Sequence, residues 1–150
     1  MSTHELRLTR DFNAPRDVLF DAWTTAEKLA LWFGPPGVTV DEAEADPRPG
    51  GRYRIKMTGM EDQVHEVTGV YSEVKPPEQL AFTWAWTQED GSRGAETTVD
   101  VTFESLGDGT RVTILHRGFT ETAQRDHHAQ GWTGCLEGLE GALKKVSVAG

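Results

Sequence analysis

The sequence predicts an α+β fold: a curved, seven-stranded antiparallel sheet wrapped around one long C-terminal helix, with two short helices after the first strand. Three observations carry this expectation. Seven stretches read as strands divided by turn residues, and several of them place apolar residues at every second position, the period of a half-buried strand. Trp132, Leu136, Leu139 and Leu143 then recur at spacings of four, three and four, which is one face of a helix. That face is the one long apolar counter-surface for the strands, so helix must pack on sheet.

From His4 to Phe12, Leu6 and Leu8 alternate with Arg7 and Thr9, giving the first strand. Asn13-Ala14-Pro15 breaks it, and Pro15 suits the first turn of a helix running to Trp23 through Val18, Leu19 and Ala22. Thr25 is placed to cap a second helix through Leu29 and Trp32, which Gly34-Pro35-Pro36-Gly37 stops. Strands are expected over Val38–Ala45, Arg52–Thr58, Val64–Val74, Gln79–Gln88, Glu96–Ser105 and Thr110–Phe119, divided by turn residues such as Gly107-Asp108-Gly109. Pairing of neighbours in a meander is the simplest topology. Arg117 to Ala123 reads as a loop, and the last helix is expected from about Glu121 to Val146, about 25 residues long. Gly131, Gly134, Gly138 and Gly141 inside it each cost about 1 kcal/mol relative to Ala. Either a close backbone approach or a mobile helix accounts for them.

One domain over residues 1–150 is expected from this length. The net charge of −9 opposes phosphate backbones and anionic lipid, so nucleic acid and membrane are poor partners. No apolar run approaches the roughly 20 residues of a membrane span, and Met1-Ser2-Thr3-His4-Glu5 does not begin a secretory signal. Cys135 is the single cysteine, which excludes an internal disulfide and a Cys-rich zinc site and suits the cytoplasm. The proline-bearing Gly34–Gly37 segment cannot cradle a phosphate through its N–H groups, so neither a nucleotide nor any other cofactor is expected.

The candidate site follows from strand alternation. Leu80, Phe82, Trp84 and Trp86 share one face against Ala81, Thr83 and Ala85. Tyr53, Ile55 and Met57 oppose Arg52, Arg54 and Lys56, while Val99, Val101 and Phe103 oppose Thr98, Asp100, Thr102 and Glu104. Each strand thus has a wet and a dry face. The dry aromatics either fill a solid core or line an open pocket, and bulky indoles beside a glycine-bearing helix favour the pocket. Its expected lining is Trp32, Tyr53, Ile55, Met57, Phe82, Trp84, Trp86, Val99, Val101, His116, His128, Trp132 and Leu136. His116 alternates inward with Val112 and Ile114, and His128 lies one turn before Trp132. The two are structural residues of the interior or, alternatively, acid–base catalysts. Adjacent His127 and His128 point about 100° apart on a helix, so no metal site is expected. Cys135 reads as a packing residue. The run Asp41, Glu42, Glu44, Asp46 reads as a solvated strand face.

Several motifs in order resemble a known family: Phe12-Asn13-Ala14-Pro15, Val18-Leu19-Phe20-Asp21-Ala22-Trp23-Thr24, Leu31-Trp32-Phe33-Gly34-Pro35, Pro49-Gly50-Gly51-Arg52-Tyr53, Pro76-Pro77-Glu78-Gln79-Leu80 and Gly131-Trp132-x-x-x-Leu136-x-x-Leu139. They are similar to the stand-alone relatives of the C-terminal domain of the activator of the ninety-kilodalton heat-shock protein's ATPase, within the SRPBCC or START-like superfamily. The resemblance implies the helix-grip fold and a cavity between sheet and long helix. That superfamily includes lipid carriers, hormone receptors, polyketide cyclases and the chaperone activator, so the reaction stays open. A small hydrophobic or aromatic ligand is the expected partner. A cyclase-like enzyme using His116 or His128, and a chaperone contact by likeness alone, are the alternatives. The activator carries an additional N-terminal domain not found in this sequence. A homodimer through an edge strand or the last helix is a further possible partner arrangement.

Overall fold

A computed structural model describes residues 4–33, 38–59, 62–88 and 90–149, with side chains as far as Leu143. The elements run β1 (His4–Phe12), α1 (Arg16–Thr24), α2 (Ala26–Trp32), β2 (Thr39–Ala45), β3 (Arg52–Thr58), β4 (Val64–Lys75), β5 (Gln79–Trp86), β6 (Thr97–Leu106), β7 (Gly109–Phe119) and α3 (Thr122–Ala149). The expected fold class is the one observed. All seven strands form a single antiparallel sheet in the order β1-β7-β6-β5-β4-β3-β2. From β2 to β7 each strand pairs with its sequence neighbours, as a meander should. β1 instead pairs with β7, from Glu5 opposite Arg117 to Phe12 opposite Thr110, because α1 and α2 carry the chain across before β2 begins.

Several local expectations need correction. Residues 117–119 continue strand β7 and are not loop, since Arg117 faces both Glu5 of β1 and Thr98 of β6 and the ladders hold it. Pro15 occupies the N-cap position of α1 rather than its first turn, its carbonyl accepting from Val18 and Leu19. Thr25 sits at the N-cap of α2 but does not cap through its side chain; its hydroxyl turns back to Asp21 on α1. The final helix is longer than expected, 28 residues. The expected stop at Gly34–Gly37 lies outside the described residues.

Alternation sorts the sheet as the sequence implies. On the concave face Tyr53, Ile55, Met57, Phe82, Trp84, Val99, Val101, Val112 and Ile114 are buried. On the outer face the charges pair: Arg54 binds Glu42 and Glu66 at 2.6 and 2.7 Å, and Arg117 binds Asp100 at 2.7 Å. Glu42 and Glu44 of the acidic run thus pair with Arg54 at the surface, contacts of modest value, about 0–1 kcal/mol each. The outer face is not wholly wet, because Ala85 is completely buried there. Beside it Arg93 hydrogen-bonds Thr68, the cross-strand partner of Ala85.

The helices close the concave side. Phe20 of α1 meets Phe103 edge-on at 5.4 Å, and Trp23 stacks on Trp132 of α3 at 5.7 Å. Two of the helical glycines now have different explanations. A Cβ at Gly138 would lie 2.9 Å from the Trp32 carbonyl oxygen, so α3 and the end of α2 touch backbone to backbone there. A Cβ at Gly141 would meet nothing within 4 Å. Gly141→Ala should therefore stabilise the protein by about 0.5–1 kcal/mol. Gly138→Ala should destabilise it despite the same gain in helix propensity. Urea-unfolding midpoints of the two variants check this pair, and equal shifts would contradict the close approach.

Candidate functional site

Three structural facts bring the aromatic residues together. Alternation along β5 sends Trp84 and Trp86 to the concave face, while α3 turns His128, Trp132 and Cys135 toward the same place at positions i, i+4 and i+7. The third wall is Met57 near the end of β3, with Gly59, Gln63 and His65 around the β3–β4 turn, and Phe33 and Val38 follow α2. Between these elements lies a cavity of about 650 Å³. Trp84 is its centrepiece: its ring meets Trp86 at 5.4 Å, Trp132 at 5.0 Å and Phe33 at 6.0 Å.

Of the residues expected to line a pocket, Met57, Trp84, Trp86, His128 and Trp132 border this cavity. Tyr53, Ile55 and Phe82 border a separate void of about 20 Å³, which Trp84 also lines. Val99, Val101 and Leu136 are buried in the core beyond either space. Trp32 is likewise core, packed on Trp23 at 4.8 Å with its indole N–H donated to the Ala22 carbonyl at 2.8 Å. Lining residues that sequence reasoning did not place there are Phe33, Val38, Gly59, Gln63, His65, His127, Gly131 and Cys135. His65 had a usable signal, since it continues the inward series of Val67, Gly69 and Tyr71 along β4.

His116 is fully buried behind this wall. Its Nδ1 accepts the indole N–H of Trp132 at 3.1 Å, so its proton sits on Nε2, which faces the Thr97 hydroxyl at 2.7 Å. The Thr97 hydroxyl in turn donates to the Trp84 carbonyl at 3.2 Å. His128 is held in the opposite sense: Nε2 accepts from the indole of Trp86 at 3.0 Å, and Nδ1 donates to the Gln124 carbonyl at 2.7 Å. Both imidazoles are thus neutral with both nitrogens engaged. In this geometry neither offers a free lone pair to the cavity.

Burial drives His116 down from the ordinary histidine value of 6.5 to about 3, and nearby His128 adds to the effect. Burial also lowers His128; the Gln124 carbonyl opposes the shift and His127 reinforces it. Tyr53, its hydroxyl donated to the Thr83 carbonyl, is pushed well above the usual phenol value by burial. No group of three or more metal-ligating side chains occurs among the described residues.

A single antiparallel sheet gripping a long C-terminal helix defines the helix-grip class of the SRPBCC superfamily. Within that class, the chain belongs to the family described as activator of Hsp90 ATPase homolog 1-like protein, whose pattern matches residues 13–144. The crystal structure of the AHSA1 protein from Silicibacter pomeroyi is 34% identical, with a TM-score of 0.86 over 94% of this chain and 98% of that one. A crystal structure from Chromobacterium violaceum is 25% identical, with a TM-score of 0.82 over 91% and 94% of the two chains. A solution structure from Staphylococcus epidermidis shares the fold at 21% identity, with a TM-score of 0.82 over 97% and 92%. No curated protein matches the sequence closely enough to count as a relative. No helix among the described residues is long and apolar enough to cross a membrane.

The neutral, buried state of His116 has a pH consequence. The unfolded chain takes up this proton near pH 6.5, whereas the folded form resists until about pH 3. The stabilisation is therefore complete above pH 6.5 and is lost progressively as the pH falls below it, by up to about 1.4 kcal/mol per pH unit. Urea unfolding between about pH 7 and pH 5 should show this decline, above the range in which carboxylates titrate. In His116→Gln the slope should be shallower, and an unchanged slope would contradict the assignment.

Proposed function

We propose that this protein binds a hydrophobic or aromatic small molecule in the cavity bordered by β3, β5 and α3. The observation that supports it is a space of about 650 Å³ walled by Trp84, Trp86, Trp132, Phe33 and Met57. Small-molecule sites fall in the range of about 300–1,000 Å³, mostly apolar with a few placed polar groups. Here those groups are His65, Gln63 and His127, all exposed, so an apolar body enters first and a polar end stays near water. Covering the aromatic wall contributes about 25 cal/mol per Å² of apolar area removed from water. In this reading His116 and His128 brace the indoles and perform no proton transfer.

Residues 1–150 act as one unit in this proposal, working in the cytoplasm, which a lone buried Cys135 suits. A chaperone contact has family membership as its sole support. A homodimer would use a sheet edge, β1 or β2, or the last helix.

Gly131 provides the test. It borders the cavity, and a Cβ there would meet nothing within 4 Å. Gly131→Leu should fill part of the space without disturbing the fold. Tryptophan fluorescence titrated with a panel of aromatic ketones, alkylbenzenes and fatty acids is expected to saturate for at least one class. The affinity for that class should drop about tenfold or more in Gly131→Leu, as expected when the variant covers apolar wall that the ligand would otherwise cover. A wild-type protein that answers no class, or a variant that binds as well as the wild type, would overturn the proposal.

A further inference from the structure

Two indoles on the wall of the large cavity are anchored to imidazoles, and the two anchors differ in their access to water. Trp132 donates to His116, which is fully buried. Trp86 donates to Nε2 of His128 at 3.0 Å, and both of these residues are partly exposed and border the cavity. Trp86 is the last residue of β5 and His128 belongs to α3, so this hydrogen bond joins sheet to helix along the cavity wall.

The bond depends on an unprotonated nitrogen. Nδ1 of His128 already donates to the Gln124 carbonyl at 2.7 Å, so a proton arriving from solvent adds at Nε2, the atom that accepts from Trp86. An imidazolium has two donors and no acceptor. Two N–H donors then face each other across 3.0 Å, and the bond is lost. His128 is packed against the rings of Trp84 and Trp86 on β5, His116 and Phe119 on β7, and His127 on its own helix. Of these the titratable groups are His116 and His127, and each repels a second positive charge when it carries one. His65 of β4 meets Trp86 edge-on at 6.1 Å. Burial holds His128 below the ordinary histidine value of 6.5, so the bond is intact above that pH and open to attack by acid below it.

We propose that the bond between Trp86 and His128 is a proton-sensitive clip on the cavity wall: a proton taken up by His128 releases the indole, and the cavity's affinity for apolar ligands falls. The release rests on the geometry alone; the effect on affinity rests on the ligand-binding reading above. Linkage requires the converse as well, a bound ligand that favours the clipped wall driving the proton off His128.

The probe is N-phenyl-1-naphthylamine, an uncharged compound whose fluorescence rises in apolar surroundings, titrated from about pH 8 to about pH 5, which spans histidine and stays above the carboxylates. Wild-type affinity should fall about 3- to 10-fold over this range, the worth of one hydrogen bond. His128→Gln keeps an acceptor for Trp86 and takes up no proton, while Trp86→Phe keeps a ring in the wall with no N–H to release. Both should lose most of the pH dependence. His65→Gln and His127→Gln remove other imidazoles that border the cavity and should retain it. Undiminished pH dependence in Trp86→Phe marks a plain effect of charge at His128 and overturns the clip, as does dependence that survives in His128→Gln. A wild-type affinity that is flat with pH overturns the coupling while leaving ligand binding intact. The indole N–H resonance of Trp86 in the free protein gives a reading that needs no ligand. It should move together with the His128 imidazole on titration, and a resonance that stays fixed over the range overturns the clip. A probe that binds at no pH overturns the coupling together with the ligand reading for this class of compound, even where the indole moves.

Discussion

The indole of Trp132 is the point through which the long helix is fastened to everything else. Its ring stacks on Trp23 of α1, meets Phe33 beyond α2 edge-on at 5.8 Å, and leans on Trp84 of β5. Its N–H reaches past them to His116 on β7. A hydrophobic contact alone would let α3 slide along the sheet, because apolar area has no direction. Directed bonds set the helix's depth and rotation, that of Trp86 to His128 and, deeper, that of Trp132 to a fully buried imidazole. That bond needs His116 neutral with Nδ1 free of its proton, a state that burial and the Thr97 hydroxyl together secure. The electrostatics of the interior and the placement of the helix are therefore one problem with one solution.

Much of this was legible in the sequence, and the limit has a geometric cause. Period-two alternation tells which face a side chain joins, so the inward series on β3, β5, β6 and β7 could be read directly. It does not tell position along the strand. Met57 borders the large cavity, whereas Ile55 and Tyr53, on the same face of the same strand, border the small void. Each two-residue step moves about 7 Å, enough to pass from open space to packed core. On β5 two such steps separate Trp86 from Phe82, with Trp84 between them bordering both spaces. The dividing line is drawn by α1 and α2, which fill one end of the groove and leave the other to the β3–β4 turn, and nothing in a strand's own pattern records where helices elsewhere in the chain will settle. For the same reason the pairing of β1 with β7 depends on a crossover and not on β1's own residues.

The histidines illustrate the difference between recognising a residue and recognising its role. Both were picked out as inward-facing, and both are. Their role is decided by partners distant in sequence: Thr97 and Trp132 for His116, Trp86 for His128. Each imidazole is used as a two-ended connector that accepts from an indole at one nitrogen and donates to an oxygen at the other. A phenylalanine at His116 would fill similar volume but strand the buried indole N–H of Trp132, which costs about 1–3 kcal/mol. The outer face shows the opposite economy of interactions, with exposed pairs such as Arg111 and Asp11 that keep the sheet's charged side solvated and contribute little individually.

The cavity's existence depends on what α3 omits. Leu136 and Leu139 show that the helix can present large side chains to the sheet and close the interior, whereas Trp132 before them borders the open space. Gly131 and Cys135 flank that series at the position where the cavity opens, and both border it. Leucines there would have added packing contacts and helix propensity together, so their absence lowers stability on two counts. Gly138 is a different case, forced by the Trp32 carbonyl. The contrast separates glycine that lets two elements touch from glycine that keeps them apart. An interior that departs from close packing at one end, while satisfying the indoles around that end through two neutral histidines, is consistent with a wall arranged to receive a further apolar body.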